Sequence, residues 1–203
     1  MITLYHSPNT RSGSIVWLLE ELQAPYETKL VDFRRADGTG AKDAANPHVH
    51  GKVPALRDGD EIVFEGAAIA LYLTDKFPKA KMGPLAGQPK RGEYLTWLAY
   101  RPGVMEPSFI CKRFEVKHVY GAMGWAPVEE VEEVLNRHLE RRPYFLGDDF
   151  SAVDIMVGGG IYFMMMAKLL KETQTLKDYS ARITARPAYL KMMERDKNTP
   201  RAT

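Results

Sequence analysis

The feature that most constrains the fold is a proline at the start of a short strand, in the run Val-Pro-Ala-Leu at 53–56. Proline has no backbone N–H and is excluded from the interior of a sheet, so Pro54 has to begin its strand. A polar Asp-Gly-Asp turn at 58–60 and a second β-rich run at 62–64 follow, which predicts an antiparallel hairpin. An apolar helical run then starts at Glu65. This stretch therefore predicts a strand, a tight turn, a strand and a helix in immediate succession.

The residues before the proline predict one strand–helix–strand unit. Residues 2–6 alternate and are rich in β-formers, 12–22 carry apolar residues on one helical face, and 26–33 form a second strand pattern. Two strands joined by a helix are expected to pair in parallel. The polar segment 34–46 predicts a loop with a short, irregular helix. Residues 1–77 therefore predict a mixed α/β domain.

The second half of the chain has helical patterns and no strand pattern. The prolines and glycines of residues 78–89 predict an interdomain linker. Amphipathic or apolar helical runs then cover 91–100, 128–141, 154–170 and 179–194. Residues 90–203 therefore predict an all-helical second domain, and the fold class is α/β followed by all-α.

Composition excludes several classes of function. The formal net charge of +2 is close to balance and gives no reason to expect nucleic acid or a membrane surface as partner. The longest apolar stretch, 155–167, is too short to span a bilayer. Cys111 is the only cysteine, which excludes an internal disulfide and a Cys-x-x-Cys site, and we interpret it as a small buried hydrophobe. No signal-like run precedes the first strand, so we expect a cytoplasmic protein without a metal site.

Two motifs resemble the glutathione S-transferase family. The first is the Val-Pro-Ala-Leu strand followed by Phe64, Glu65, Gly66 and an apolar helix. The second is Ser151 followed by Asp154, a capping-box pattern that in this family opens the buried helix of the helical domain. The resemblance covers nearly the whole chain. It implies a thioredoxin-like N-terminal domain, an all-helical C-terminal domain, glutathione as co-substrate, an electrophilic small molecule as partner, no metal, and a homodimer.

The resemblance also implies which residues bind glutathione. In the family the proline is cis, and the residue before it, here Val53, pairs with the cysteinyl backbone of glutathione like an added strand. The acidic residue and the N–H groups at the start of the third helix hold the γ-glutamyl end, although Gly66 stands where the family has serine. Cations just before the proline, or Arg34 and Arg35, are candidates for the glycyl carboxylate. The predicted glutathione-binding residues are Asn9, Arg34, His50, Lys52, Val53, Pro54, Glu65 and Gly66.

The thiol of glutathione has to be ionised near the start of the first helix, because the thiolate is the nucleophile. Residues 9–12, Asn-Thr-Arg-Ser, stand where thioredoxin-like redox proteins carry Cys-x-x-Cys, so this chain cannot run dithiol exchange itself. Ser12 is the favoured thiolate donor, and Thr10, Asn9 and Arg11 are its rivals. The alternative interpretation is that Ser12 only caps the helix.

The second substrate is expected where the first helix's loop meets the helical domain. Tyr100, Met105 and Phe109 are candidate wall residues, and Arg101 or Lys112 can add charge; the alternative is that all are core or rim residues. The favoured function is transfer of glutathione to an electrophile. A glutathione-dependent disulfide or peroxide reductase and a non-catalytic binding module remain the alternatives.

Overall fold

The computed structural model describes residues 1–200 and residue 202, and the chain divides into two compact units. The first unit contains Met1–Ala80 together with the segment that follows Ala185. The second unit is Lys81–Ala185. The helical domain predicted over 90–203 therefore differs from the structure at its end, where the last helix belongs to the first unit.

The first unit is built on a mixed sheet with the strand order β2-β1-β3-β4. The central strand β1 (Ile2–His6) pairs in parallel with β2 (Tyr26–Leu30) and antiparallel with β3 (Ala55–Asp58), and β3 forms a hairpin with β4 (Glu61–Phe64). The predicted thioredoxin-like plan and its pairings are confirmed. The segment 34–46, all of which the structure describes, contains turns but no helix.

Most helices follow the apolar periods of the sequence, but the structure adds a helix at Glu106–Arg113 and divides the run at 179–194 between two helices. Within the described residues they are α1 (Gly13–Glu21), α2 (Gly66–Lys76), α3 (Arg91–Tyr100), α4 (Glu106–Arg113), α5 (Val128–Leu139), α6 (Gly159–Met166), α7 (Gln174–Thr184) and α8 (Pro187–Asn198). A short 3₁₀ helix covers Pro78–Ala80. Two π-helical turns, Arg101–Met105 and Asp154–Gly158, precede α4 and α6.

Helix α8 joins the first unit because its polar and aromatic side chains match those of α1. Arg186 donates two hydrogen bonds to the Glu21 carboxylate, at 2.6 and 2.7 Å. The rings of Trp17 and Tyr189 pack edge to face with centroids 4.9 Å apart. Neither contact is visible in the helical pattern of either segment, which shows only that each has a face to bury.

The second unit includes part of the predicted linker. The Ala152 N–H donates to the Met82 carbonyl at 2.7 Å, and Gly83 lies against the ring of Tyr94. Residues 81–89 are therefore packed on the helical unit and are not a free tether. The core of this unit is aromatic, with fully buried side chains at Tyr94, Phe109, Phe145 and Tyr179.

Asp154 ties this unit together. Its Oδ2 accepts hydrogen bonds from the Ser151 N–H (2.9 Å) and the Ser151 hydroxyl (3.0 Å), and its Oδ1 accepts from the Phe145 N–H (2.9 Å) and the Tyr179 hydroxyl (2.9 Å). The predicted pairing of Ser151 with Asp154 is therefore present. Burial raises the pKa of Asp154, and the four donated hydrogen bonds oppose that rise.

The glycines at the start of α6 make room for side chains. A Cβ on Gly158 would lie 2.3 Å from the Tyr179 hydroxyl, and one on Gly160 would lie 2.5 Å from Met105 Cε. Bulky side chains therefore fill the space beside these two glycines.

Replacing Asp154 by asparagine is expected to lower the free energy of unfolding by about 3 kcal/mol. Asparagine keeps one accepting oxygen, so the donors that face the other position lose their partner in a buried site. Urea unfolding followed by circular dichroism measures the change. The matched control is Asp178→Asn at an exposed position of α7, expected within about 0.5 kcal/mol of wild type. Equal stability of the two variants would contradict the anchoring role.

Candidate functional site

The loop between β1 and α1 turns Ser12 inward. Ser12 has helical backbone angles, but its side chain makes no capping hydrogen bond to the helix. The side chain is fully buried, and its Oγ lies 2.8 Å from His6 Nδ1. The Ser7 N–H also donates to this oxygen at 3.2 Å. Ser12 therefore occupies the N-cap position of α1, but its side chain neither caps the helix nor reaches the surface.

The C-terminal helix completes this cluster. Asp196 on α8 lies with Oδ1 3.0 Å from His6 Nε2, and its Oδ2 accepts the Asn9 N–H at 2.8 Å. His6 is 1% exposed and Asp196 is 4% exposed. The pair lies within the first unit and fixes the loop before α1 through hydrogen bonds to Ser12 and to the Asn9 N–H.

Thr10 is the member of this cluster that reaches the surface. Its Oγ1 lies 2.7 Å from Ser12 Oγ and 2.7 Å from the Ser7 carbonyl oxygen, and the residue is half-buried. Asn9 and Arg11 are exposed, and Asn9 has a positive φ of 58°. Of the predicted thiolate donors, Thr10 combines a hydroxyl that is fixed by neighbours with partial exposure.

The strand that follows Pro54, β3, is paired with both of its neighbouring strands only from Ala55 onward. The Val53–Pro54 peptide bond is cis, as the resemblance implies. The last ladder pairs are Tyr5 with Ala55 and Ala55 with Phe64, so Val53 lies beyond the paired part of the sheet. Val53 is half-buried. Its backbone is therefore available as the next rung for an extended peptide.

Glu65, immediately before α2, has an unusual backbone conformation. Its φ is 70° and its ψ is 121°, a region that non-glycine residues avoid. Its side chain is exposed, and its carbonyl accepts the Ile69 N–H at 2.9 Å. Gly66 begins α2, so its N–H lies at the positive end of the helix. Backbone strain of this kind is concentrated at functional sites.

The loop that leads into the proline is held by residues that the sequence did not single out. Asn46 donates from Nδ2 to the Lys52 carbonyl at 2.9 Å and accepts the His48 N–H on Oδ1 at 3.0 Å. His48 Nδ1 in turn accepts the His50 N–H at 3.1 Å. His50 and Lys52, the predicted partners of the glycyl carboxylate, are exposed at the end of this loop.

The ring of His48 links the loop to β4. It lies 4.9 Å from the ring of Phe64, centroid to centroid. Burial lowers the pKa of His48, and the Glu65 carboxylate acts in the opposite direction. Lys52 and His50 lower the pKa of the same buried imidazole. A polar loop without periodicity carries no signal that could have identified His48 or Asn46 from the sequence.

The arginines after β2 lie in different surroundings. Arg34 is exposed. Arg35 donates to Asp32 at 2.6 Å, and this bond holds it against its own loop. Arg34 therefore remains the better candidate of the two for a ligand carboxylate.

The predicted second-substrate residues are distributed between core and surface. Met105 and Phe109 are fully buried in the second unit. Arg101 is also buried, donating to the Met156 carbonyl at 2.6 Å and to Glu106 at 3.0 Å. Tyr100 is half-buried, and burial raises the pKa of its hydroxyl. Tyr100 is the one of the three predicted wall residues that keeps exposed surface.

A cavity of about 240 Å³ lies beside the end of α4 and is lined by Cys111 and Lys112 among others. Three of its lining residues carry a buried polar atom without a partner in the described part of the chain: Ser108 Oγ, His118 Nδ1 and Trp125 Nε1. Cys111 is half-buried here, outside the fully buried core. The lining suits a small polar molecule, water included.

Comparison with known proteins identifies the family. The family model for the glutathione S-transferase N-terminal domain matches residues 1–75, which contain the proline strand, Glu65 and the loop before α1. Residues 1–75 therefore form a glutathione S-transferase N-terminal domain. The expected family and the two-part fold are confirmed.

Similar proteins align with most of this chain. Glutathione S-transferase 3 of Schizosaccharomyces pombe is 27% identical over 172 residues, covering 76% of this chain and 70% of that protein. The disulfide-bond oxidoreductase YfcG of Escherichia coli is 26% identical over 203 residues, covering 93% and 92%. A sphingomonad glutathione S-transferase, solved in complex with glutathione, has a TM-score of 0.74 at 25% identity and covers 97% of this chain and 100% of that one.

The described residues contain neither a metal-binding cluster nor a helix that could span a membrane. Within residues 1–200 and 202, no group of three His, Cys, Asp or Glu side chains could hold a metal ion. Within the same residues, no helix has the length and apolar character needed to cross a membrane.

Replacing Glu65 by glycine is expected to raise the free energy of unfolding by about 1 kcal/mol, because glycine adopts a positive φ without strain. The matched control is Glu61→Gly on the same hairpin, where β4 has ordinary strand geometry and glycine is expected to destabilise by about 0.5–1 kcal/mol. Urea denaturation of both variants measures the difference. A loss of stability in both would mean that residue 65 is not strained.

Proposed function

We propose that this protein is a glutathione transferase, which binds glutathione as a thiolate and transfers it to a hydrophobic electrophile. The observation that carries the proposal is the end of the strand ladder at Ala55, which leaves Val53 beyond the paired residues, together with the strained backbone of Glu65. Family membership supports the same ligand, since a relative of this fold was solved with glutathione bound.

The described residues fit each part of the tripeptide. Val53 offers its backbone as a rung for the cysteinyl residue. The Glu65 carboxylate and the Gly66 N–H suit the ammonium and the carboxylate of the γ-glutamyl end. His50 and Lys52 are exposed donors for the glycyl carboxylate, and Arg34 is the alternative.

For the thiol we propose Thr10 as the donor that contacts sulfur. The burial of Ser12 and the bonds to His6 and Ser7 favour Thr10 over Ser12, because a donor needs exposed surface to reach a ligand. The start of α1 adds the positive end of a helix dipole, which stabilises a nearby thiolate. Asn9 and Arg11, both exposed, are the remaining candidates.

The electrophile is assigned to the helical unit, with Tyr100 as the candidate contact because it keeps exposed surface. The protein contributes orientation of the two substrates and exclusion of water from the sulfur. Because family members usually dimerise, we also propose a homodimer. A cytoplasmic location agrees with the single cysteine and with the use of glutathione.

Glutathione titration by calorimetry tests the proposal most directly. Wild type is expected to bind glutathione, and Glu65→Gln is expected to bind roughly tenfold more weakly, because it loses one charge-assisted hydrogen bond. The matched control, Glu61→Gln, removes a nearby exposed carboxylate and is expected to bind like wild type. Absence of binding at millimolar glutathione would reject the transferase and favour a non-catalytic module of the same fold.

Disulfide reduction is the second candidate function, favoured by the similarity to the oxidoreductase YfcG over 93% of this chain. Residues 9–12 contain no cysteine, so a second glutathione has to supply the resolving thiol. Parallel assays with chlorodinitrobenzene and with hydroxyethyl disulfide distinguish the two activities. Faster turnover of the disulfide would replace conjugation by reduction as the proposed reaction.

A further inference from the structure

The buried cluster below Thr10 forms a continuous chain of hydrogen-bonding atoms. It runs from Asp196 Oδ1 to His6 Nε2 (3.0 Å), from His6 Nδ1 to Ser12 Oγ (2.8 Å), and from Ser12 Oγ to Thr10 Oγ1 (2.7 Å). The first three residues are at most 4% exposed, whereas Thr10 is half-buried. The chain therefore begins at a buried carboxylate and ends at the surface.

Hydrogen-bond chemistry gives this chain a direction. A carboxylate only accepts, so a neutral His6 carries its proton on Nε2 toward Asp196 and leaves Nδ1 as an acceptor. Nδ1 then accepts from the Ser12 hydroxyl, and Ser12 Oγ accepts the Ser7 N–H. The Thr10 hydroxyl has two acceptors within reach, the Ser7 carbonyl oxygen and Ser12 Oγ, each at 2.7 Å, and it joins the chain when it turns to Ser12. Thr10 Oγ1 accepts the Ser12 N–H at 3.2 Å, which leaves one lone pair for a ligand.

A hydrolase triad has the same Asp–His–Ser order, but the burial of Ser12 excludes that chemistry here. Ser12 has 0% exposed surface, and its oxygen is already within hydrogen-bond distance of His6, Thr10 and the Ser7 N–H. No substrate carbonyl can approach it. Thr10 is the half-exposed member of the cluster, so any ligand contacts the cluster through Thr10 Oγ1.

We propose that His6, paired with Asp196, takes up the thiol proton of bound glutathione through the hydroxyl groups of Thr10 and Ser12. Thr10 Oγ1 receives the proton from sulfur and passes its own to Ser12 Oγ, and Ser12 passes its own to His6 Nδ1. One proton moves in net from sulfur to His6, leaving a thiolate that accepts the Thr10 O–H. The proposal rests on the proposed function, since it needs glutathione bound beside Thr10.

The charge distribution around His6 favours this uptake. Protonation turns a buried carboxylate beside a neutral ring into a carboxylate–imidazolium pair at 3.0 Å, so no net charge is left in the interior.

The neighbouring cations of α8 are engaged elsewhere: Arg195 donates to Tyr26 and Thr28 of β2, and Lys191 donates to Glu20 of α1. From β2, Lys29 lies over the ring of Tyr5. The acids of α1 are paired too, Glu20 with Lys191 and Glu21 with Arg186. Of the charged side chains, only Asp196 lies within bonding distance of His6 among the described residues.

His6, Ser12 and Asp196 are therefore positioning residues, and Thr10 is the group that touches sulfur. The C-terminal helix becomes part of the thiol-activating machinery, because Asp196 accepts the His6 Nε2–H and so leaves Nδ1 facing the hydroxyl groups.

Nitrogen NMR of the full-length protein gives the decisive readout. Long-range proton–nitrogen spectra are expected to show His6 neutral with the proton on Nε2 in the free protein, and protonated on both nitrogens when glutathione is bound. The control ligand is S-methylglutathione, which has no thiol proton and is expected to leave His6 neutral. A neutral His6 in a complex whose ultraviolet spectrum shows the thiolate overturns the proposal, and so does an equal response to both ligands.

The proton relay is the path from Thr10 through Ser12 to His6, which is paired with Asp196. Variants at Thr10 and Asp196 test its two ends, and the measurement is a titration of the thiolate absorbance of the glutathione complex. Asp196→Asn and Thr10→Val are expected to raise the thiol pKa by at least about one unit, a tenfold loss of thiolate below that pKa, with glutathione affinity within about threefold of wild type. Glu194→Gln, on the same helix, is expected to titrate like wild type, and Thr10→Ser, which keeps the hydroxyl, is expected to recover thiolate that Thr10→Val loses.

The outcomes separate the relay from the function on which it rests. If Asp196→Asn binds glutathione and its thiol titrates as in wild type, the relay is overturned while the transferase proposal stands. If wild type fails to bind glutathione, the proposed function fails and takes the relay with it. If Asp196→Asn does not fold, the wild-type NMR comparison of the two ligands still decides.

Discussion

The contact between Asp196 and His6 is the interaction on which the thioredoxin-like unit depends for its working shape. It joins the end of the central strand to the last helix across 190 positions of sequence. Both groups are buried, so each supplies the partner that the other needs in the interior. The second oxygen of Asp196 accepts the Asn9 N–H and so fixes the backbone of the loop just before α1. The last helix therefore belongs to this unit for a chemical reason as well as for the packing of Trp17 on Tyr189.

A second buried carboxylate, Asp154, plays a contrasting part in the helical unit. Four donors converge on it, and all of them come from the surrounding frame. Nothing leads from Asp154 to the surface, so its role is structural. Asp196 differs because its partner His6 has a second nitrogen, and that nitrogen starts a chain of hydroxyls ending at half-exposed Thr10. The two buried carboxylates therefore have different roles, because Asp196 is connected through His6 and Ser12 to the half-exposed Thr10.

Much of the candidate glutathione site was predictable from local sequence. Pro54 had to open a strand because it lacks an N–H, and the turn and apolar helix after it located Glu65. The loop before α1 was identified as the thiol end from its position after the first strand. The sequence favoured Ser12 there, and the structure turns that side chain into the interior, because His6 lies beneath it and Asp196 supports His6. No pattern within residues 9–12 contains that information.

Sequence alone determined the strands and their pairing, the capping pair before the buried helix, the proline strand and the family. Each of these depends on backbone chemistry or on a period of two or about 3.6 residues, which neighbours in the chain decide. Only the tertiary structure decided that α8 joins the first unit, that Met105 and Phe109 lie in the core, and that Thr10 is the exposed hydroxyl of its cluster. The physical reason is that a periodic pattern shows that a face is buried but not which distant side chain will cover it or bond to it.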